Sequence, residues 1–137
     1  KNVPEQGALE HISHVAVFND ITARDMQTSA RDIGDPWSLA KGMDTFGPIS
    51  EYVPIEGIDI TSLNLTLDVN GKRKQDGNTK DMIFTPEFLI SYISRFMTLE
   101  PGDIIATGTP EGISEIVSRD VVCASISGVG SVTNMVV

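Results

Sequence analysis

The chain has 137 residues and carries 10 Lys and Arg against 19 Asp and Glu, for a formal net charge of -9. Hydrophobic residues make up 40% and charged residues 21%, a balance that fits one globular domain over residues 1–137 and excludes a disordered chain. The acidity argues against nucleic acid or anionic lipid as partners, and no run reaches the roughly 18 apolar residues of a membrane span.

Along the chain, Asn2-Val-Pro4-Glu5 reads as a helix start, with Pro4 in the first turn and Leu9 and Ile12 three residues apart. His14 to Phe18 reads as a short buried strand running into Asn19-Asp20. Leu63 to Val69 alternates apolar and polar residues without a fault, which predicts a half-buried strand. Asn70-Gly71 is a strong hairpin turn signal, so Lys72 to Gln75 should be the return strand. Thr85-Pro86-Glu87 opens a helix, with Thr85 as cap and Pro86 at its first position. Phe88, Leu89, Tyr92, Ile93 and Phe96 share one face of that helix and are expected to be core. Pro101-Gly102-Asp103 makes a turn, and Ile104 to Thr107 reads as a strand ending at Gly108-Thr-Pro110. Val121 to Ile126, a Gly128-Val-Gly130 turn and Val132 to Val137 form a closing hairpin. The sum is a β-rich α+β fold with a few short helices.

The lone Cys123 rules out an internal disulfide and a cysteine-based zinc cage, and its apolar neighbours suggest a buried, inert thiol. Lys1 to Glu10 is polar and lacks the apolar core of a signal peptide, so the expected compartment is the cytoplasm. His11 is expected on a helix surface and His14 at a strand start, neither with the spacing of metal ligands. Lys72-Arg73-Lys74 reads as a solvated strand end.

Three clusters hold chemistry. In Asn19-Asp20-Ile-Thr-Ala-Arg24-Asp25-Met-Gln27, helical spacing would place Asp20, Arg24 and Gln27 on one face, where they could hold a metal and an anion. The competing reading makes Asp20 a helix cap and Arg24 half of a surface pair. Lys41-Gly42 sits in an apolar, aromatic stretch, either as an ammonium beside a ligand or as a lysine with its head in water. Thr107-Gly108-Thr109-Pro110-Glu111-Gly112 can offer hydroxyl and backbone donors to a carboxylate, or be an ordinary turn.

Taken together, the runs Val17 to Gln27, Ala40 to Phe46, Val69 to Gln75, Asn78-Thr79, Asp81 to Phe84, Leu99 to Asp103 and Thr107 to Gly112, with Gly128-Val-Gly130 before Asn134, resemble the fumarylacetoacetate hydrolase family in its C-terminal catalytic domain. The resemblance covers essentially the whole chain. It implies a mixed β-roll with short peripheral helices, a homodimer or higher homo-oligomer, and a Mg²⁺ or Mn²⁺ site for 2-oxo acids. Asp20 would be a metal ligand, Arg24 and Gln27 would line the site as catalytic residues, and Lys41 would stabilise an enolate. Thr109, with Gly108 and Arg24, would hold the substrate. The Thr109 to Ser114 run is similar to enzymes that isomerise 2-hydroxyhepta-2,4-diene-1,7-dioate or decarboxylate 5-oxopent-3-ene-1,2,5-tricarboxylate. Acylpyruvate hydrolysis and oxaloacetate decarboxylation are the alternatives.

The family's metal site also draws on an upstream Glu-x-Glu pair and a lid bearing His and Glu. No Glu-x-Glu occurs in the 137 residues. The chain therefore reads either as part of a longer enzyme or as a fold remnant with a structural or interaction role. At Ser118-Arg119-Asp120 it also departs from the family's Pro-Gly-Asp-like turn.

Overall fold

The computed structural model describes residues 1–137. Its main body is a four-stranded antiparallel sheet built from β3 (Asn64–Val69), β4 (Lys72–Asn78), β5 (Val121–Ile126) and β6 (Gly130–Met135), in the order β4-β3-β5-β6. A second, two-stranded sheet pairs β1 (His14–Val15) with β2 (Val53–Pro54), also antiparallel. Three helices lie outside the sheets: α1 (Arg24–Ile33), α2 (Ser38–Lys41) and α3 (Pro86–Phe96). The β-rich α+β architecture expected from the sequence is what forms.

Local chemistry explains the main hairpin. Asn70 and Gly71 both take positive φ, 52° and 74°, which matches the twist of the flanking strands. Asn70 is also tied to β5, because Val121 N–H donates to its Oδ1 at 2.9 Å and its Nδ2 donates to Asp120 Oδ1 at 2.7 Å. β4 runs past Gln75 to Asn78, with a bulge: the pairing passes from Leu67↔Gln75 to Asp68↔Arg73, so Lys74 is the extra residue.

The core is small. Val17, 2% exposed, packs with Ala124 and Val129, and with half-buried Val15, Val53, Leu67 and Ile126. The small sheet is thereby fastened to the face of the large one, and the chain leaves it at Phe18, which bridges to Ile49. Asp20 follows immediately.

Five expectations about individual elements are corrected. The segment after Asn2 forms no α-helix, only a 3₁₀ turn at Ala8–His11 behind Gly7 at positive φ, which breaks the helical path. The strand at His14 shrinks to two residues, with Phe18 40% exposed and joined only by its bridge. Ile104 to Thr107 forms no strand and joins neither sheet, since strand pairing needs a partner that the local sequence does not specify. Cys123 is half-buried rather than enclosed, with Sγ 3.7 Å from Ser125 Oγ.

The largest correction concerns α3. Its cap forms as expected, with Phe88 N–H donating to Thr85 Oγ1 at 3.3 Å. The buried side, however, is Ile90, Ser91 and Ser94, held by the N-terminal segment through Val3 N–H to Ser94 Oγ at 2.9 Å. Tyr92 and Phe96 are 50% and 69% exposed, and Phe84, Phe88, Tyr92 and Phe96 stack in a row along the surface. Ser94 can close against the incoming backbone where a larger side chain would hold it off, so this face wins the contact.

Candidate active site around Asp20 and Lys41

Asp20 lies on the irregular segment between the Phe18 bridge and α1, not on the helix. The helical-face reading of Asp20, Arg24 and Gln27 is thus corrected: α1 begins at Arg24, with Ala23 as its N-cap and no side chain capping it. Asp20 as a cap is excluded by the same observation. Backbone bonds fix the segment, with Asn19 N–H on Pro48 O at 3.0 Å and Ala23 N–H on Ala40 O at 2.9 Å. The second bond sets the start of α1 against the end of α2, which carries Lys41.

Lys41 reaches across this junction. Its Nζ donates to Asp20 Oδ2 in a close ion pair and to Thr22 Oγ1 at 3.1 Å. The two charged side chains are only 31% and 40% exposed, so the ammonium is not simply a head in water. Thr22 is kept in place by its own bond to Asp20 O at 3.1 Å. Nothing in the spacing of the sequence singled out Thr22. Arg24 and Gln27 form a second pair, with Arg24 Nη1 donating to Gln27 Oε1 one turn along α1.

The Thr109 loop is built separately. Gln75, 8% exposed, points its Nε2 into the loop, at 3.1 Å from Thr109 Oγ1, 2.9 Å from Pro110 O and 3.4 Å from Glu111 O. The loop presses on β4 hard enough that a Cβ on Gly112 would meet Lys74 O at 2.1 Å, and Gly112 has φ +92°. The bulge makes this approach possible. Residues opposite one another across a ladder share a face, so Gln75 follows Leu67 inward while Arg73 follows Asp68 outward. Arg73 then pairs with Asp68 at 2.7 Å and Asp76 at 3.1 Å. Thr109 and Gly108 themselves are exposed. No hydrogen bond or ion pair joins this loop to Asp20, Lys41, Arg24 or Gln27, so the structure forms three local groups: Asp20 with Lys41, Arg24 with Gln27, and Gln75 with Thr109. Gln75 closes the Val69 to Gln75 run, but its polarity at an exposed-looking strand end gave no sign of burial.

A divalent cation such as Mg²⁺ takes an octahedron of oxygens and is often held by one or two carboxylates, with water and substrate completing the shell. Asp20 fits one such corner, having its second oxygen free of Lys41. No group of three or more His, Cys, Asp or Glu side chains stands close enough to hold a metal alone. Two surface concavities, one lined by Thr61, Thr79 and Lys80 and one by Phe84, Phe88 and Tyr92, share no residue with this site.

A family model described as fumarylacetoacetate (FAA) hydrolase C-terminal matches residues 1–137. The chain is 47% identical over 133 residues to oxaloacetate tautomerase FAHD1, mitochondrial, of Arabidopsis thaliana, covering 96% of this chain and 60% of that protein. The human protein of the same name is 44% identical over 132 residues, with 96% and 60% covered. Among solved structures, fumarylpyruvate hydrolase from Pseudomonas aeruginosa, in complex with Mn²⁺ and pyruvate, superposes with a TM-score of 0.95 at 33% identity, over 99% of this chain and 59% of that one. The 2-hydroxyhepta-2,4-diene-1,7-dioate isomerase of Mycobacterium marinum gives 0.91 at 39% identity, over 100% and 52%. The chain thus spans about 60% of the length of these curated relatives.

Proposed function

The chain belongs to the fumarylacetoacetate hydrolase family, and from that premise we propose that it forms one catalytic domain, residues 1–137, of an enzyme that moves a proton through a metal-stabilised enolate of a 2-oxo acid. The observation that carries the reading is Lys41, an ammonium braced by Asp20 and Thr22 and exposed enough to meet a ligand. Mg²⁺ or Mn²⁺, bound in part by Asp20, would act as a Lewis acid on the keto oxygen.

The remaining steps belong to the chain's own side chains. An ammonium has three protons, and Asp20 and Thr22 engage two, which leaves one for the substrate oxygen where enolate charge develops. Gln27 accepts from Arg24 through Oε1, so its amide protons are free to orient a water or a substrate oxygen. The other Arg24 donors can take a distal carboxylate. Thr109 would donate to the 2-oxo acid carboxylate, with Gly108 letting the backbone approach.

Oxaloacetate tautomerisation and dienoate isomerisation share this chemistry: a proton leaves one atom of an enol or dienol and returns to carbon, with no net loss of atoms. The identity of 47% over 96% of the chain favours an oxaloacetate-like 2-oxo dicarboxylate. The isomerase–decarboxylase reading from the Thr109 to Ser114 run is supported by the likeness to the M. marinum isomerase. Acylpyruvate hydrolysis is supported by the likeness to fumarylpyruvate hydrolase. The partners proposed are a small 2-oxo or 2-hydroxydienoic acid and further copies of the same protein, in the cytoplasm. A fold remnant without catalysis is the reading these proposals displace.

The test presents the full-length protein with the enol form of oxaloacetate, the dienoate and an acylpyruvate, before and after treatment with EDTA. Proton transfer on one of the first two, abolished by chelator and restored by Mg²⁺ or Mn²⁺, is the expected result. Turnover undiminished in chelator contradicts the metal role, and release of pyruvate with a second acid assigns hydrolysis instead.

A further inference from the structure

We propose that Gln75 is a positioning residue that sets the direction of the Thr109 hydroxyl, making its oxygen an acceptor on the protein side so that its proton points out to a substrate carboxylate. The inference rests on the reading of Thr109 as the carboxylate-binding residue and adds what holds it ready. The chemistry at Gln75 fixes which end of its amide faces the loop. Pro110 O and Glu111 O are backbone carbonyls and only accept, so the group 2.9 Å and 3.4 Å from them must be the NH₂. That same NH₂ lies 3.1 Å from Thr109 Oγ1. A hydroxyl that accepts from an amide has no use for its own proton there. With Gln75 8% exposed and Gly112 locked against Lys74, water is poorly placed to take over the role.

The polarity is open to inversion. In Gln75→Glu an ionised carboxylate would face three acceptors, and the one proton within reach would be that of Thr109, turned inward and lost to the substrate. The neighbouring carbonyls oppose that ionisation and raise the pKa of the new carboxyl, so its protonated form should restore the donor at lower pH.

The experiment measures pyruvate affinity by calorimetry on the full-length, Mn²⁺-loaded protein between about pH 5.5 and 8.5. It uses the wild type, Gln75→Glu, Thr109→Val and the double variant. Gln75→Glu is expected to weaken binding about tenfold at the upper end, as for loss of a hydrogen bond to a charged group, and to recover at the lower end. In the Thr109→Val background the same change should alter affinity by less than about twofold, because the hydroxyl it acts through is gone. An equal penalty in both backgrounds would mean that Gln75 merely tethers the loop, and an unchanged affinity would mean that it does nothing; either result overturns the proposal. If Thr109→Val alone leaves affinity unchanged, or the wild type fails to bind pyruvate, the underlying reading falls and this one with it. Should Gln75→Glu not fold, Gln75→Met runs through the same cycle, since without an amide donor the hydroxyl is free to turn to Pro110 O.

Discussion

Lys41 and Asp20 hold each other, and that pairing sets the cost of changing either. A half-exposed ion pair contributes about 1 kcal/mol or less to folding, so Asp20→Asn should leave the melting temperature within a few degrees of the wild type. On the proposed mechanism turnover should nevertheless drop at least about a hundredfold, because the ammonium would lose its anchor and the cation a charged ligand. A large loss of stability with turnover preserved would make the pair structural. Asp20, Arg24, Gln27 and Lys41 were legible in the sequence as candidates because the family motifs carry them as contiguous runs. Thr22 and Gln75 were not. Thr22 acts through an ordinary hydroxyl, and Gln75 owes its inward orientation to a one-residue bulge that no alternation of polar and apolar residues encodes.

At the level of elements, the Thr109 loop depends on Gly112, which has no room for a side chain and a φ of +92°. Gly112→Ala should lower stability by about 1–3 kcal/mol and weaken substrate affinity, as read by thermal melting and calorimetry. Normal melting and affinity would show that the loop shifts freely. The turn at Asp120 makes a pH prediction. The Val117 N–H, and next the Asn70 amide, hold its carboxyl below the ordinary aspartate value. A group lowered in the folded state contributes stability above its unfolded pKa and loses it as pH falls through the folded one. In a titration of the carboxyl carbons by NMR, Asp120 should therefore have a midpoint below that of a free aspartate, moving up in Asn70→Ala; an unshifted midpoint contradicts the contact. The Asn70-Gly71 hairpin and the capped α3 were legible because turn and cap chemistry are local. The unpaired run Ile104 to Thr107 and the buried side of α3 were not, since each depends on what lies beside it in space.

Over the whole molecule, Phe84, Phe88, Tyr92 and Phe96 form an aromatic row at the surface. We expect the self-association proposed above to bury that face. Sedimentation velocity should give a dimer or larger assembly for the wild type and a smaller species for Phe96→Asp; a wild-type monomer would contradict it. No helix is long and apolar enough to cross a membrane. The central claim is tested most directly by the rate of the enol-to-keto conversion of oxaloacetate with full-length Lys41→Met, Mn²⁺ present and the fold verified by melting. A fall of at least about a hundredfold, with the melting temperature kept, is the expected result for a cation aimed at the developing enolate charge. A rate near that of the wild type would contradict the assignment of Lys41 and the enolate mechanism built on it.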